Sequence, residues 1–228
     1  MKAKSLLGVA LFPIIALAPA AGQASPEVFK ILGRDLVLPT PAGYCPLGSS
    51  AIEQQMLEMQ RQNTSIAGEL AHLAVPCDEL RTIRAGKTDR FKRWVQVLVL
   101  KNKGEVKLVR ASRAQFVQAV ASTGKANPPD MAALSKRIDA HLSQKGFGVG
   151  IVEPRVTPLG STDDAVFMEI TMTASTGGSK IPLVAVGAVT MANNLPLGVY
   201  AYSAADAKGP TPAAVIQGYL DGVLRSNP

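Results

Sequence analysis

Two histidines, His72 and His141, are the only imidazoles in the chain, so any histidine acid–base chemistry must use one of them. His141 continues the helical spacing of Leu134 and Ile138 and reads as a residue at the border of a buried helix face. His72 lies in the apolar run Leu70 to Val75, where Glu69 is the nearest carboxylate able to orient its ring. Ser122 and Lys125 have the Ser-x-x-Lys spacing that sets a nucleophile one helical turn from a base, but Gly124 falls between them and no Lys-Thr-Gly element accompanies them. They read as a helix terminus. Asp163 and Asp164, with Glu153 or Glu169 on neighbouring strands, are the best paired acids. Adjacent acids in a Ser-Thr-Asp-Asp stretch suit a turn, where carboxylates accept backbone N–H groups. A calcium site needs about six oxygen ligands, which this stretch does not offer. No Gly-x-Ser-x-Gly elbow, His-Glu-x-x-His helix or phosphate-binding loop occurs. The sequence therefore assigns no catalytic residue, metal ligand or cofactor. An enzyme would have to assemble its site from residues distant in sequence.

Cys45 and Cys77 are the two cysteines. They lack Cys-x-x-Cys spacing and neither has an adjacent histidine, so a redox or metal pair is disfavoured and a structural disulfide is expected. That expectation depends on compartment. Lys2 and Lys4 precede an apolar run from Leu6 to Ala18, and the small residues Gly22 and Ala24 stand before Ser25, the pattern of a cleaved export signal. The run contains Pro13 and is shorter than the roughly 20 apolar residues a bilayer requires. No later run is long and apolar enough to span a membrane, and no cysteine near Ser25 offers a lipid attachment point. Residues 1–24 are thus predicted to be a signal peptide and residues 25–228 a single domain, periplasmic or secreted.

Charge is unevenly distributed along a chain whose formal net charge is +7. Eleven Lys or Arg fall between residues 81 and 113, against Asp89 and Glu105. The candidate contacts for an anionic partner are Arg90, Lys92, Arg93, Lys101, Lys103, Lys107 and Arg110. Such a cluster attracts an anionic envelope surface or an acidic protein. It also attracts nucleic acid through counterion release, although export argues against nucleic acid as the physiological partner. The bland reading is the solvated flank of a hairpin. Hydrophobic residues make up 47% of the chain and aromatic ones 5%, so the core is aliphatic and the chain is a poor match to a carbohydrate-binding surface.

The elements that must carry these residues follow from period and punctuation. A strand is expected over Val28 to Leu38, interrupted by Gly33, then an irregular connection through Pro39, Pro41, Gly43 and Pro46. Ser50 and Glu53 form a capping box for a helix to about Asn63, with Ile52, Met56, Leu57 and Met59 as its inward stripe. Leu70 to Val75 reads as a strand, and Asp78 to Arg84 as a short helix. Trp94 to Leu100, apolar on both alternating faces, should pair through a turn at Lys103 and Gly104 with a second strand, Glu105 to Arg110. Such a hairpin would bring the charges on both sides of Trp94 to Leu100 into one neighbourhood. Ser112 and Gln115 cap a helix to about Ser122, and Met131 to Gln144 should form another. Strands are expected at Val149 to Thr157, Ala165 to Ala174, Ile181 to Met191 and Leu197 to Ser203, with a final helix capped by Thr211. The whole is an α/β sandwich: an antiparallel β-sheet meander flanked by helices.

The opening strand into Leu38, followed by Pro39, Gly43, Tyr44 and Cys45, then the helix, the apolar meander through Val184 to Thr190 and the docked last helix ending at Asn227 and Pro228, resembles the PsbP-like family. Its fold is shared by a Ran-binding nuclear import factor. The resemblance lies in the order of elements over most of residues 25–228. It implies a non-enzymatic exported accessory or binding protein. No binding residue of the family carries over, and the Cys45 and Cys77 pair and the basic hairpin depart from its pattern.

Overall fold

The computed structural model describes residues 26–88, 90–126, 136, 140, 149–176 and 179–228. The strands are β1 Glu27–Ile31, β2 Arg34–Leu38, β3 Tyr44–Pro46, β4 Gly68–Pro76, β5 Arg93–Asn102, β6 Glu105–Val106, β7 Val149–Ser161, β8 Val166–Thr176, β9 Ser179–Ala192 and β10 Leu195–Ala204. The helices described are α1 Ala51–Thr64, α2 Cys77–Arg84, α3 Arg113–Ala126 and α4 Pro212–Ser226. The main sheet is antiparallel, in the order β3-β4-β5-β10-β9-β8-β7, with β6 appended to β5. The expected meander is present as β7 to β10, and the chain is mixed α/β with helices flanking antiparallel strands.

Register assigns the two faces of the sheet. Val95, Val97 and Val99 of β5 share a face with Leu197, Val199 and Ala201 of β10 and with Val186 and Ala188 of β9. All are buried in one cluster with Ile216, Tyr219, Leu220 and Val223 of α4. Those helix residues recur at helical spacing behind a Thr211 cap with Pro212 in the first turn, which is why the sequence exposes this helix so plainly. The opposite face presents Leu70, Leu73 and Leu98, packed by Leu57 of α1. Burial on both faces explains the near-continuous apolar runs of β5 and β9.

Three expectations are corrected. Val28 to Leu38 is two strands, because Leu32 and Gly33 both take positive φ and fold β2 back on β1 as a separate two-stranded sheet. The buried face of α1 is Glu53, Met56, Gln60 and Thr64, a mostly polar stripe. Hydrophobic periodicity is blind to it, since each polar group is matched by a partner: the Gln60 amide donates to Gln96 Oε1, and Arg84 donates to the Glu53 carboxylate. The third correction concerns the basic hairpin. β6 is two residues long, and the chain then leaves β5, with Val109 N–H donating to Asn194 O in the β9–β10 turn at 2.9 Å. The expected helix Met131 to Gln144, and with it His141, lies outside the described residues apart from positions 136 and 140.

Candidate functional site

The short β6 decides where the basic residues go. β5 holds ten residues, which at roughly 3.3 Å per residue separates its two ends by about 30 Å. The cations before Arg93 and those after Asn102 therefore form two groups at opposite ends of the strand, well beyond the Debye length of about 8 Å at physiological salt.

At the start of β5 three of the cations, Arg93, Lys92 and Arg84, are paired with acids. Arg93 retains 11% side-chain exposure, and its Nε donates to Glu79 Oε1 at 2.8 Å with Asp78 at 3.6 Å. Glu79 also accepts from the backbone N–H of Lys92 at 2.7 Å, fixing the entry into β5. Lys92 pairs with Asp206 in the loop after β10, and this contact holds the Asp206 carboxyl below its usual range. Arg84 closes on Glu53, whose side chain is 1% exposed and whose carboxyl is held low chiefly by that hydrogen bond. Arg90 is exposed and is not without a partner. The disulfide sits beside these pairs: Cys45 of β3 is bonded to Cys77 at the start of α2, with Cα atoms 5.0 Å apart. Of the candidate contacts, Arg93 is corrected to a buried structural cation, because its guanidinium is already bound by two acids of α2.

At the far end the side chains remain in water. Lys103, in the left-handed region ahead of Gly104, forms the β5–β6 turn. Lys103 and Arg110 are exposed and have no side-chain partner among the described residues. Lys107 meets Glu105 at 3.1 Å with both side chains more than half exposed, a kind of pair worth only about 0.2–1 kcal/mol. Lys101 donates to Ser65 O at the end of α1.

From Arg110 the chain enters a groove of about 800 Å³ between the β1–β2 hairpin, the β9–β10 turn and the start of α3. Its walls include Lys30, Arg34, Asp35, Arg113, Asn193 and Asn194. Asn193 and Asn194 both adopt positive φ, the conformation a two-residue hairpin turn requires and Asn tolerates. Their side chains then knit the elements together: Asn193 Nδ2 donates to Asp35 O at 2.7 Å, and Asn194 Nδ2 to Val109 O at 2.9 Å. Asn227, fully buried, exchanges two hydrogen bonds with the backbone of Val37 and so ties the end of α4 to β2. Sequence reasoning missed Lys30 and Arg34, since nothing local reveals that the first hairpin ends beside residues 110 to 113. The Leu-Gly turn was the available signal.

The other chemical candidates resolve as structure. His72 is buried, and its Nδ1 meets Glu27 Oε2 of β1 at 2.8 Å, so its carboxylate partner comes from the first hairpin and not from Glu69. Its Nε2 faces the protein interior without a partner among the described residues, as does the Tyr219 hydroxyl, whose pKa burial pushes upward. Asp164 pairs with Arg113 at 3.2 Å. Among the described residues no group of three or more His, Cys, Asp or Glu is placed to hold a metal ion. On the α1 face, Trp94 stacks on Tyr202 with ring centroids 4.5 Å apart and planes 5° from parallel. Tyr200 beside them fits only because positions 187 and 198 are glycine, where a Cβ would come within 2.6 Å of its ring. Comparison with protein-family models and with curated proteins gives no match, so the groove and the exposed cations beside it must be interpreted from their own chemistry.

Proposed function

We propose that the protein is an exported, PsbP-like accessory protein that binds an anionic envelope surface or an acidic partner through the turn end of its sheet. The contact comprises Lys103, Lys107 and Arg110, with Lys30 and Arg34 on the adjoining hairpin. The observation that carries this reading is that Lys103, Arg110 and Arg34 are exposed and unpaired among the described residues, whereas at the start of β5 Arg93, Arg84 and Lys92 are held by Glu79, Glu53 and Asp206, leaving Arg81 and Lys87 as the exposed cations without a side-chain partner there. Exposed, unpaired cations keep their field available to a partner and make its binding sensitive to salt. The Cys45–Cys77 disulfide supports export, since such bonds persist in oxidising compartments.

Sedimentation with vesicles containing phosphatidylglycerol tests the proposal. The wild-type protein is expected to bind at low ionic strength and to be released as salt rises. Changing Lys103, Lys107 and Arg110 to Glu is expected to abolish binding. Equal binding by that triple variant, or no binding by the wild type at low salt, refutes it.

A further inference from the structure

We infer that the groove beside this surface is a distinct binding site for a small hydroxylated oxyanion, of the sugar phosphate or glycerophosphate class, with Arg34 as its principal anchor. The inference deepens the reading of the turn end as an anion-binding face: it shares Lys30 and Arg34 with that surface and adds Arg113, Asn193 and Asn194. A volume of about 800 Å³ lies within the range of roughly 300–1,000 Å³ typical of small-molecule sites. Arg34 lines the groove and makes no side-chain hydrogen bond or ion pair among the described residues, so all five of its N–H donors are available. Its neighbouring cation, Lys30, is occupied by Asp35 at 3.1 Å.

Arg113 supplies the rigid side of the site. Its Nε donates to Met191 O at 2.8 Å, one terminal nitrogen to Asn227 O at 3.0 Å and the other to Asp164 Oδ1 at 3.2 Å. Three of five donors are thereby used. One N–H on each terminal nitrogen remains for a ligand, on a guanidinium that cannot rotate without breaking three contacts. Two arginines of this kind match an oxyanion, because the planar fork meets paired oxygens with two parallel bonds.

The preference for a hydroxylated ligand comes from the asparagines. Asn193 and Asn194 point their Nδ2 groups into the protein, at Asp35 O, Asn227 Oδ1 and Val109 O. Each carboxamide oxygen accepts no hydrogen bond among the described residues. Water can serve these acceptors in the groove, and a phosphate attached to a polyol brings hydroxyl donors that can replace it, which inorganic phosphate cannot do as well. The same headgroup occurs free or on a lipid such as phosphatidylglycerol, and the two sources are separable by experiment.

Calorimetric titration of the protein with glycerol 3-phosphate at low salt, alongside inorganic phosphate, provides the test. Glycerol 3-phosphate is expected to bind, Arg34→Gln to weaken it by roughly tenfold or more through loss of a charge-assisted pair, and inorganic phosphate to bind more weakly than glycerol 3-phosphate. Arg34 is exposed, so its replacement leaves the fold intact, which an unchanged thermal midpoint verifies. Absence of glycerol 3-phosphate binding up to about 10 mM, equal affinity in Arg34→Gln, or equal affinity for inorganic phosphate overturns the proposal. Phosphatidylglycerol vesicles distinguish the two levels of reading. Vesicle binding that ignores Arg34 and is accompanied by no glycerol 3-phosphate binding leaves the surface reading standing and removes the groove. Arg34-dependent glycerol 3-phosphate binding by a protein that ignores vesicles establishes a free ligand and removes the surface reading.

Discussion

The two ends of β5 carry similar numbers of cations but bind them to the fold to different degrees. At its start, Arg93, Lys92 and Arg84 are consumed by Glu79, Asp206 and Glu53, next to the Cys45–Cys77 bond. At its end, Lys103 and Arg110 are free among the described residues and Lys107 has only an exposed partner. For Arg93 the physical difference is desolvation, whereas the side chains of Arg84 and Lys92 remain about half exposed, at 52% each. A guanidinium taken from water is tolerable only when paired and hydrogen-bonded, so Arg93 had to acquire acids from α2. A lysine on a hairpin turn loses no hydration and needs nothing. A dense run of basic residues is therefore not one functional patch: Arg93, Arg84, Lys92 and Arg113 are tied into the fold, whereas Lys103 and Arg110 at one end, and Arg81 and Lys87 at the other, keep their charge in water.

The comparison breaks most visibly at the disulfide. Replacing Cys45 and Cys77 by Ser reopens a loop of about 33 residues and is expected to cost about 3–4 kcal/mol of stability, measured by urea unfolding. A loss below about 1 kcal/mol would mean that the start of β5 is held by its ion pairs alone. Glu79→Ala comes next. It leaves Arg93, whose side chain is 11% exposed, with Asp78 at 3.6 Å as its remaining acid, and is expected to cost about 1–2 kcal/mol, less than a fully stranded buried charge would.

A smaller effect is expected from acid. The Glu53 carboxyl titrates below its ordinary value because Arg84 and the Gly48 N–H bind its charged form. A depressed carboxyl contributes stability that is complete above the unfolded-state value and is lost as pH falls through the lower folded-state value. Denaturation midpoints should therefore decline below about pH 4.5, and Glu53→Gln should flatten that decline while lowering stability at neutral pH. An unchanged acid limb would show that this pair, despite its burial, is energetically idle. The smallest effect belongs to the other end: Glu at Lys103, Lys107 and Arg110 should each alter stability by less than about 0.5 kcal/mol, so loss of vesicle binding in that variant reports recognition and not unfolding.

Legibility followed the same division. The disulfide needed only two cysteines and a compartment. The β7 to β10 meander and α4 were readable because alternation and caps are local signals, as with the Thr211 cap of the last helix. The polar stripe of α1 was not readable, since Glu53 and Gln60 are buried only because Arg84 and Gln96 arrive from other elements to bond them. The true partner of His72 was hidden for the same reason: Glu27 is distant in sequence, and only the fold-back of β1 on β2 delivers it.

By itself, the sequence determined the class of fold, the composition of the core and the number and sign of the charges, because these depend on residue type and short-range spacing. Tertiary structure alone decided which cations are buried, which remain free and which meet across a groove. A two-residue β6 in place of a full return strand sends the chain, from Ala111 on, to the groove of Arg34 and Arg113 rather than back along β5. The cause is a hydrogen bond between Val109 and the β9–β10 turn, formed between segments 85 residues apart, which no local pattern encodes.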